Sequence, residues 1–311
     1  MPGPYTHITL LYELTLHGKL EILFSKSSGF ADVFKKYFSY CVLGAVSPDY
    51  PNLVQGGIAS QWADAMHYTR VCNMITSGIN ISRSSTGTVR DKQLAWLLGY
   101  SAHVVTDMTV HPVVQAKVGV YAENQRHHRV CEMNQDSYIY RRMGLGEIGV
   151  TDMFAQMVAR CSEPANSSQL DPGIITLWEE MLECVHPELF AAKPPDCSLW
   201  HREFVAKVNE CADSPIRLFP LAANISAKMG LSYPAYDSVD MQYIDKQTIP
   251  SEIPFYRNYD EIFDSAVNNV ASVWKQVEQA ICDADMSPLP IFGEWNLDNG
   301  LNEQGRLVFW E

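Results

Sequence analysis

The chain has 311 residues, of which 47% are hydrophobic and 19% charged, and a formal net charge of −13. Length and apolar content suffice to bury a sizeable core, and no apolar run reaches the roughly 20 residues that a bilayer span needs. So acidic a balance argues against tight nonspecific nucleic-acid binding, which relies on Lys and Arg against phosphate, and against electrostatic docking on anionic membranes.

The chain starts Met1-Pro2-Gly3-Pro4 and shows no basic start, apolar run and small-residue cleavage site, so no secretory signal is expected. The eight cysteines are scattered without a Cys-x-x-Cys pair. They read as reduced thiols in a cytoplasmic protein. His7 follows in PGPYTHI, and Asp49 lies in a turn between two prolines, SPDYP. Apolar spacing predicts core helices over Ser60–Ser77, Lys92–Val114 and Asn124–Tyr140. Further helices are expected over Thr151–Cys161, Ile174–Cys184, Leu199–Cys211 and Pro215–Lys228, separated by Pro, Gly and Ser stops. Pro234–Pro254, rich in Tyr, Asp and Pro, reads as a long loop able to fold over a cleft. Tyr259–Cys282 is an amphipathic helix whose stripe (Ile262, Phe263, Ala266, Val270, Val273, Trp274, Val277, Ile281) reads as core packing. The tail, ending GRLVFWE, reads as a short surface strand. With no linker, repeat or low-complexity tract, residues 1–311 are expected to form a single all-α, multi-helix domain.

The most informative stretch is Ala102–Pro112, AHVVTDMTVHP. His103, Asp107 and His111 stand at successive steps of four, which on a helix stacks them in one column. Pro112 is expected to kink or end that helix. A solvated polar face would be the ordinary reading, but the flanks (Trp96, Leu97, Leu98, Val104, Val105, Val110) are apolar. Imidazole and carboxylate are zinc ligands, although iron and manganese accept the same donors, and the central Asp could hold one ion or bridge two. His128 and Glu132 make a second i, i+4 pair in HHRVCE, and His67 sits on a third predicted helix, in QWADAMHY. Metal clusters in helical proteins assemble from several facing helices. The candidate ligands are therefore His7, Asp49, His67, His103, Asp107, His111, His128 and Glu132. His17, His127, His186 and His201 lack an in-step acidic partner and read as ordinary core or surface residues, and Cys131 reads as packing.

This order of His, Asp, His, then His-x-x-x-Asp-x-x-x-His, then His-x-x-x-Glu resembles the zinc-dependent phospholipase C family. It is also similar to the related single-strand-specific nucleases and 3′-nucleotidases. The resemblance covers about the first half of the chain, with the ligands within residues 1–135, and implies an all-helical domain with a trinuclear zinc cleft. By position, Asp49, His67, His103 and Asp107 would hold the first ion, and His111, His128 and Glu132 the second. Asp107 would bridge to a third ion held also by His7 and the free amino terminus. The family begins with a Trp there; this chain departs from that, and removal of Met1 would expose Pro2 as the terminal chelator. Two to three zinc ions are thus expected.

The implied activity is phosphoester hydrolysis, most simply by a phospholipase C-like phosphodiesterase in which zinc-activated water attacks phosphorus in line. Asp49, orienting that water, and Glu132 are the carboxylates expected at the chemistry. The second ion has only His111, His128 and Glu132, and the open position favours an enzyme. The alternatives are a nuclease or 3′-nucleotidase of the same superfamily and a zinc-stabilised helical protein without turnover. The expected partner is a phosphoester, either a phospholipid headgroup or a soluble ester. Tyr50 and Asp64, at positions where the phospholipase branch carries aromatics, are expected to meet it, with Trp62 and Tyr68 as pocket walls. Asp64 and Asp136 are expected to orient imidazoles.

Overall fold

A computed structural model describes residues 3–25, 28–54, 57, 59–148, 152–212, 231–282 and 293–310. Within them the chain runs through α1 (Pro4–Thr15), α2 (Lys19–Leu23), α3 (Phe30–Lys36), α4 (Phe38–Gly44), α5 (Ser60–Tyr68), α6 (Val71–Ser84) and α7 (Gly87–Val118). It continues through α8 (Tyr121–Tyr140), α9 (Asp152–Arg160), α10 (Pro172–Val185), α11 (Pro187–Ala192), α12 (Cys197–Ala212) and α13 (Tyr259–Cys282). The sheet among the described residues amounts to small antiparallel ribbons: β1–β2 (Ser162–Glu163 with Asn166–Leu170), β3–β4 (Gln247–Ile249 with Phe255–Arg257) and β5–β6 (Trp295–Asn296 with Leu301–Asn302). The fold is all-α, as the periodicity indicated. No helix among the described residues is long and apolar enough to cross a membrane.

Every residue of α7 from Gln93 to Val114 is buried, and a helix enclosed all round must satisfy its neighbours on every face. α4 crosses it where Gly44 meets Gly99. A β-carbon on Gly44 would lie 2.9 Å from Tyr100 N and closer still to the Trp96 carbonyl. One on Gly99 would meet Ala45 N and the Cys41 carbonyl in the same way. α13 lies on another side of α7 and buries its whole predicted stripe. Its Trp274 Nε1–H donates to Leu98 O at 2.9 Å. The large buried side chains of the second half, Trp178, Trp200, Phe204 and Phe263, belong to the same apolar cluster as Leu10, Phe34 and Trp96. Burying each such side chain contributes about 1.5–3 kcal/mol.

Two expectations are corrected. The predicted helix Ser60–Ser77 breaks into α5 and α6 at Arg70, which takes the left-handed conformation (φ 51°). There its Nη1–H donates to Val185 O and its backbone N–H to Glu294, at 2.8 and 2.9 Å. Of the kink or stop expected at Pro112, the stop does not occur, for α7 continues to Val118. The carbonyl that Pro112 cannot engage, Met108 O, instead faces the C-terminal tail at Gly300. The loop expected over Pro234–Pro254 contains short 3₁₀ turns and strand β3. The tail, expected as a strand, folds on itself through the Leu301–Leu307 bridge and is held to the body by Leu297 and Trp310. The helix expected over Pro215–Lys228 lies outside the described residues.

Both ends of the described chain are tied to the helices that carry the candidate ligands. The first N–H groups of a helix have no partner within it. In α1 those of Tyr5 and Thr6 donate to the Asp136 carboxylate of α8 at 3.2 and 2.7 Å, and the hydroxyls of Thr6 and Tyr233 join them at 2.7 and 3.0 Å. Gly3 permits this approach, since a β-carbon there would overlap the Asp136 carboxylate. At the other end, Leu297 N–H donates to His67 O at 3.0 Å and Trp310 Nε1–H to Thr109 O at 2.7 Å.

Candidate metal centre

Three elements converge on α7. α1 brings His7, the 3₁₀ turn Ser47–Leu53 brings Asp49, α5 brings His67, and α7 itself supplies His103, Asp107 and His111. All six are buried. Ligand atoms of His7, His103 and Asp107 lie within 4.8 Å of one another, and so do those of Asp49, His67 and His103. His7 Nε2 is 3.2 Å from Asp107 Oδ1, His103 Nε2 3.5 Å from Asp107 Oδ2, and His67 Nε2 3.5 Å from Asp49 Oδ1. His111 approaches Asp107 at 3.9 Å. The His7 ring stacks on that of His103 with centroids 4.6 Å apart.

The imidazoles are oriented by backbone carbonyls rather than by Asp64 and Asp136, a correction to expectation. His67 Nδ1 faces Ala63 O at 2.7 Å, His103 Nδ1 faces Ala45 O at 2.9 Å, and His111 Nδ1 faces Leu297 O at 2.5 Å. A carbonyl can only accept, so each Nδ1 carries a proton and Nε2 is the ring atom left to meet a ligand. The Nε2 atoms of His67 and His103 nevertheless lie 3.4 Å apart. Two ring nitrogens so placed are joined by whatever cation, a proton or a metal ion, lies between them. Asp136, expected as an orienter, instead anchors the start of α1.

Electrostatics point the same way. Burial pushes His7 and His103 down to about 3 and lowers His111 and, less completely enclosed, His128. These rings are neutral at physiological pH, the form that ligates. Burial raises Asp49 to about 6 and raises Asp107, to which Asp298 adds in the same direction. Both Asp107 oxygens, Asp49 Oδ1, both His7 ring nitrogens and His111 Nε2 are buried without a hydrogen-bond partner among the described residues. His7 and Asp107 are close but lack hydrogen-bond alignment. Buried polar atoms are normally satisfied, and so many orphans in one place, all nitrogen or carboxylate oxygen, match the donor set zinc takes.

His128 and Glu132 are less closely drawn in. His128 Nε2 donates to Gly119 O at 2.6 Å, which leaves Nδ1 as its ligating atom. Glu132 Oε2 accepts from Arg129 Nη1 at 3.1 Å. Neither joins the tight groups of ligand atoms, but Glu132 acts electrostatically on His7, and His128 on His111. Pro2, expected as a further chelator, lies outside the described residues.

A cavity of about 220 Å³ opens beside His67, lined by Asn52, Asp64, Tyr68, Tyr121, Arg129 and Asp298 among others. Asp64, expected to meet the substrate, and Tyr68, expected as a pocket wall, line this cavity. Tyr50 does not: it is fully buried and stacks on Phe204 at 4.2 Å. Its neighbour in sequence, Asp49, takes the site-facing position while the aromatic ring serves the core. Trp62 is likewise a core residue, its Nε1–H donating to Lys193 O at 3.1 Å. Sequence reasoning missed Arg129 and Asp298. Arg129 carried a signal, since it stands three residues before Glu132 and i, i+3 charge pairs meet on a helix. Asp298 carried none; only the fold of the tail brings it to the site.

A larger cavity of about 760 Å³ lies between the β3–β4 ribbon and the tail, lined by Ile253, Phe255, Leu307 and Trp310 among others, and none of the candidate ligands reaches it. No curated protein and no solved structure matches the chain. The model of the family described as zinc dependent phospholipase C, however, matches residues 6–188. That span contains every candidate ligand from His7 to Glu132 and more than half of the chain, and the chain belongs to the zinc-dependent phospholipase C family.

Proposed function

We propose that this protein is a zinc-dependent phosphodiesterase of the phospholipase C type, with residues 1–311 as one domain. The observation that carries the reading is the convergence of the His67 and His103 Nε2 atoms, 3.4 Å apart, with the orphaned oxygens of Asp49 and Asp107. A cation is what such a set of donors lacks. Asp49, His67, His103 and Asp107 would hold one zinc, and His111, His128 and Glu132 a second. Asp107 and His7 would share a third with Pro2, once Met1 has been removed. When bound, zinc neutralises phosphate charge and makes hydroxide available near neutral pH by lowering the pKa of its water to about 7.

The chain's own residues supply the rest. Asp49, beside its place as a ligand, orients or deprotonates the attacking water, and Glu132 assists as the other carboxylate at the reacting centre. The carbonyls of Ala63, Ala45 and Leu297 keep the imidazoles from turning as charge develops. Asp64 and Tyr68 line the cavity in which the alcohol portion of the ester is held.

The test is turnover by zinc-loaded protein on phosphatidylcholine, bis(p-nitrophenyl) phosphate and single-stranded DNA. Hydrolysis of the first two, lost in His103→Ala and Glu132→Ala proteins that remain folded, is expected. Preference for DNA or for a 3′-nucleotide moves the protein to the nuclease branch. Zinc binding with no turnover on any ester makes it a zinc-stabilised module. Intact mass with zinc counting tests the third ion, since retained Met1 together with two zinc ions excludes Pro2.

A further inference from the structure

Arg129 has no part in the chemistry just described, yet its position is unusual. It is only 5% exposed and sits on α8 directly after His128. Its guanidinium is a fixed cation at any working pH. One guanidinium nitrogen, Nη1, donates to Glu132. Its Nε–H is buried and has no acceptor among the described residues. The side chain lines the same cavity as His67.

A fixed cation beside a cluster of divalent cations is electrostatically unfavourable on its own. Glu132 offsets it only in part, because that carboxylate is itself a candidate ligand. The arrangement becomes favourable when an anion enters the cavity and faces both. Guanidinium suits phosphoryl oxygen in particular, since its planar array of donors matches the oxygen pairs of that group. The orphaned Nε–H supplies one donor of that array.

We propose that Arg129 is a substrate-contacting specificity residue that binds a non-bridging oxygen of the ligand's phosphoryl group. It would thereby select phosphoryl-bearing ligands over uncharged esters and retain inorganic phosphate as an inhibitor. This rests on the phosphoesterase reading above, and the experiment separates the two.

Zinc-loaded wild type, Arg129→Gln and Arg129→Lys are compared for zinc content, for the Kd of inorganic phosphate by calorimetry, and for kcat and KM on bis(p-nitrophenyl) phosphate. Loss of one charge-assisted hydrogen bond is expected to weaken phosphate binding about ten- to a hundredfold in Arg129→Gln at unchanged zinc content. KM should rise more than kcat falls. Lys should recover part of the loss, because it restores the charge but not the planar donor array. If Arg129→Gln does not fold, Arg129→Lys carries the test, with phosphate binding weaker than wild type at equal zinc.

Equal phosphate affinity in wild type and variant at matched zinc occupancy overturns the assignment. So does a loss that disappears when zinc is raised to saturation, for then Arg129 serves only to hold Glu132. Weakened phosphate binding in a protein whose wild type hydrolyses no ester upholds the Arg129 contact and removes the hydrolase reading instead.

Discussion

Gly44 of α4 and Gly99 of α7 let the two helix backbones touch where they cross: a β-carbon on Gly99 would stand 2.9 Å from Ala45 N and nearer still to the Cys41 carbonyl. The crossing also positions the candidate metal centre, because Ala45, one residue past Gly44, offers the carbonyl that holds His103 Nδ1 at 2.9 Å. Side-chain atoms in a flexible neighbour can move aside, but backbone cannot do so cheaply. Gly99→Ala should therefore lower stability by about 3 kcal/mol or more, at or beyond the upper end of ordinary overpacking. Urea unfolding of the variant checks this, and its zinc affinity should fall as well. A Gly99→Ala protein as stable as wild type means the helices can separate without penalty.

The tail is expected to tune the metal. Gly300 adopts φ +71°, and a β-carbon there would press on the Pro112 ring and come within 2.7 Å of Met108 O. Leu297 O, three residues earlier, holds His111 Nδ1. Gly300→Ala should shift that carbonyl and weaken zinc about ten- to a hundredfold, the usual consequence of losing a partner that orients a ligand. Competition against a zinc chelator measures it.

Zinc should stabilise the fold measurably. Asp49 and Asp107 are buried with carboxyls raised by that burial, so the metal-free protein encloses acids it cannot solvate. Ligand that binds only the folded state adds about 2.7 kcal/mol per site at a hundred times its Kd. Thermal unfolding with zinc and with chelator should differ by several degrees, and Asp107→Asn should narrow that gap and reduce the zinc count. An unfolding temperature indifferent to chelation would contradict the centre itself.

Asp136 gives a pH signature. Burial raises its carboxyl from 3.8 to about 7, only partly countered by the hydrogen bonds from Thr6, Tyr233 and Tyr5. The folded state therefore holds that proton more tightly than the unfolded one. The stability so gained is complete below 3.8 and is lost as pH rises through about 7. Asp136→Asn cannot titrate. The difference in unfolding temperature between wild type and variant, in which zinc's own pH dependence cancels, should shift in favour of wild type as pH falls from 7.5 toward 5.5. A constant difference across that range would mean that Asp136 keeps an ordinary pKa.

How much of this was legible in the residues follows from the distances involved. The column His103–Asp107–His111 could be read directly, because helix geometry alone aligns residues four apart. The stripe of α13 could be read for the same reason. Arg70 could not be foreseen as a helix break, since its left-handed backbone is held by contacts to Val185 and Glu294, more than a hundred residues away. Tyr50 was misjudged because nothing local distinguishes a core aromatic from a pocket wall. Orienting groups were sought among side chains, whereas the ones found are main-chain carbonyls, which every residue has and no sequence pattern marks.

Composition, periodicity and the order of donors thus determined an all-α chain with a column of candidate metal ligands and the family to which it belongs. Only the tertiary structure decided which of those donors meet, that Arg129 and Asp298 join them, and that Tyr50 does not. The physical reason is that local spacing controls which face of a helix a residue occupies, while convergence depends on how closely helices cross. Here that closeness depends on Gly3, Gly44, Gly99 and Gly300, where no side chain is tolerated between one backbone and its neighbour.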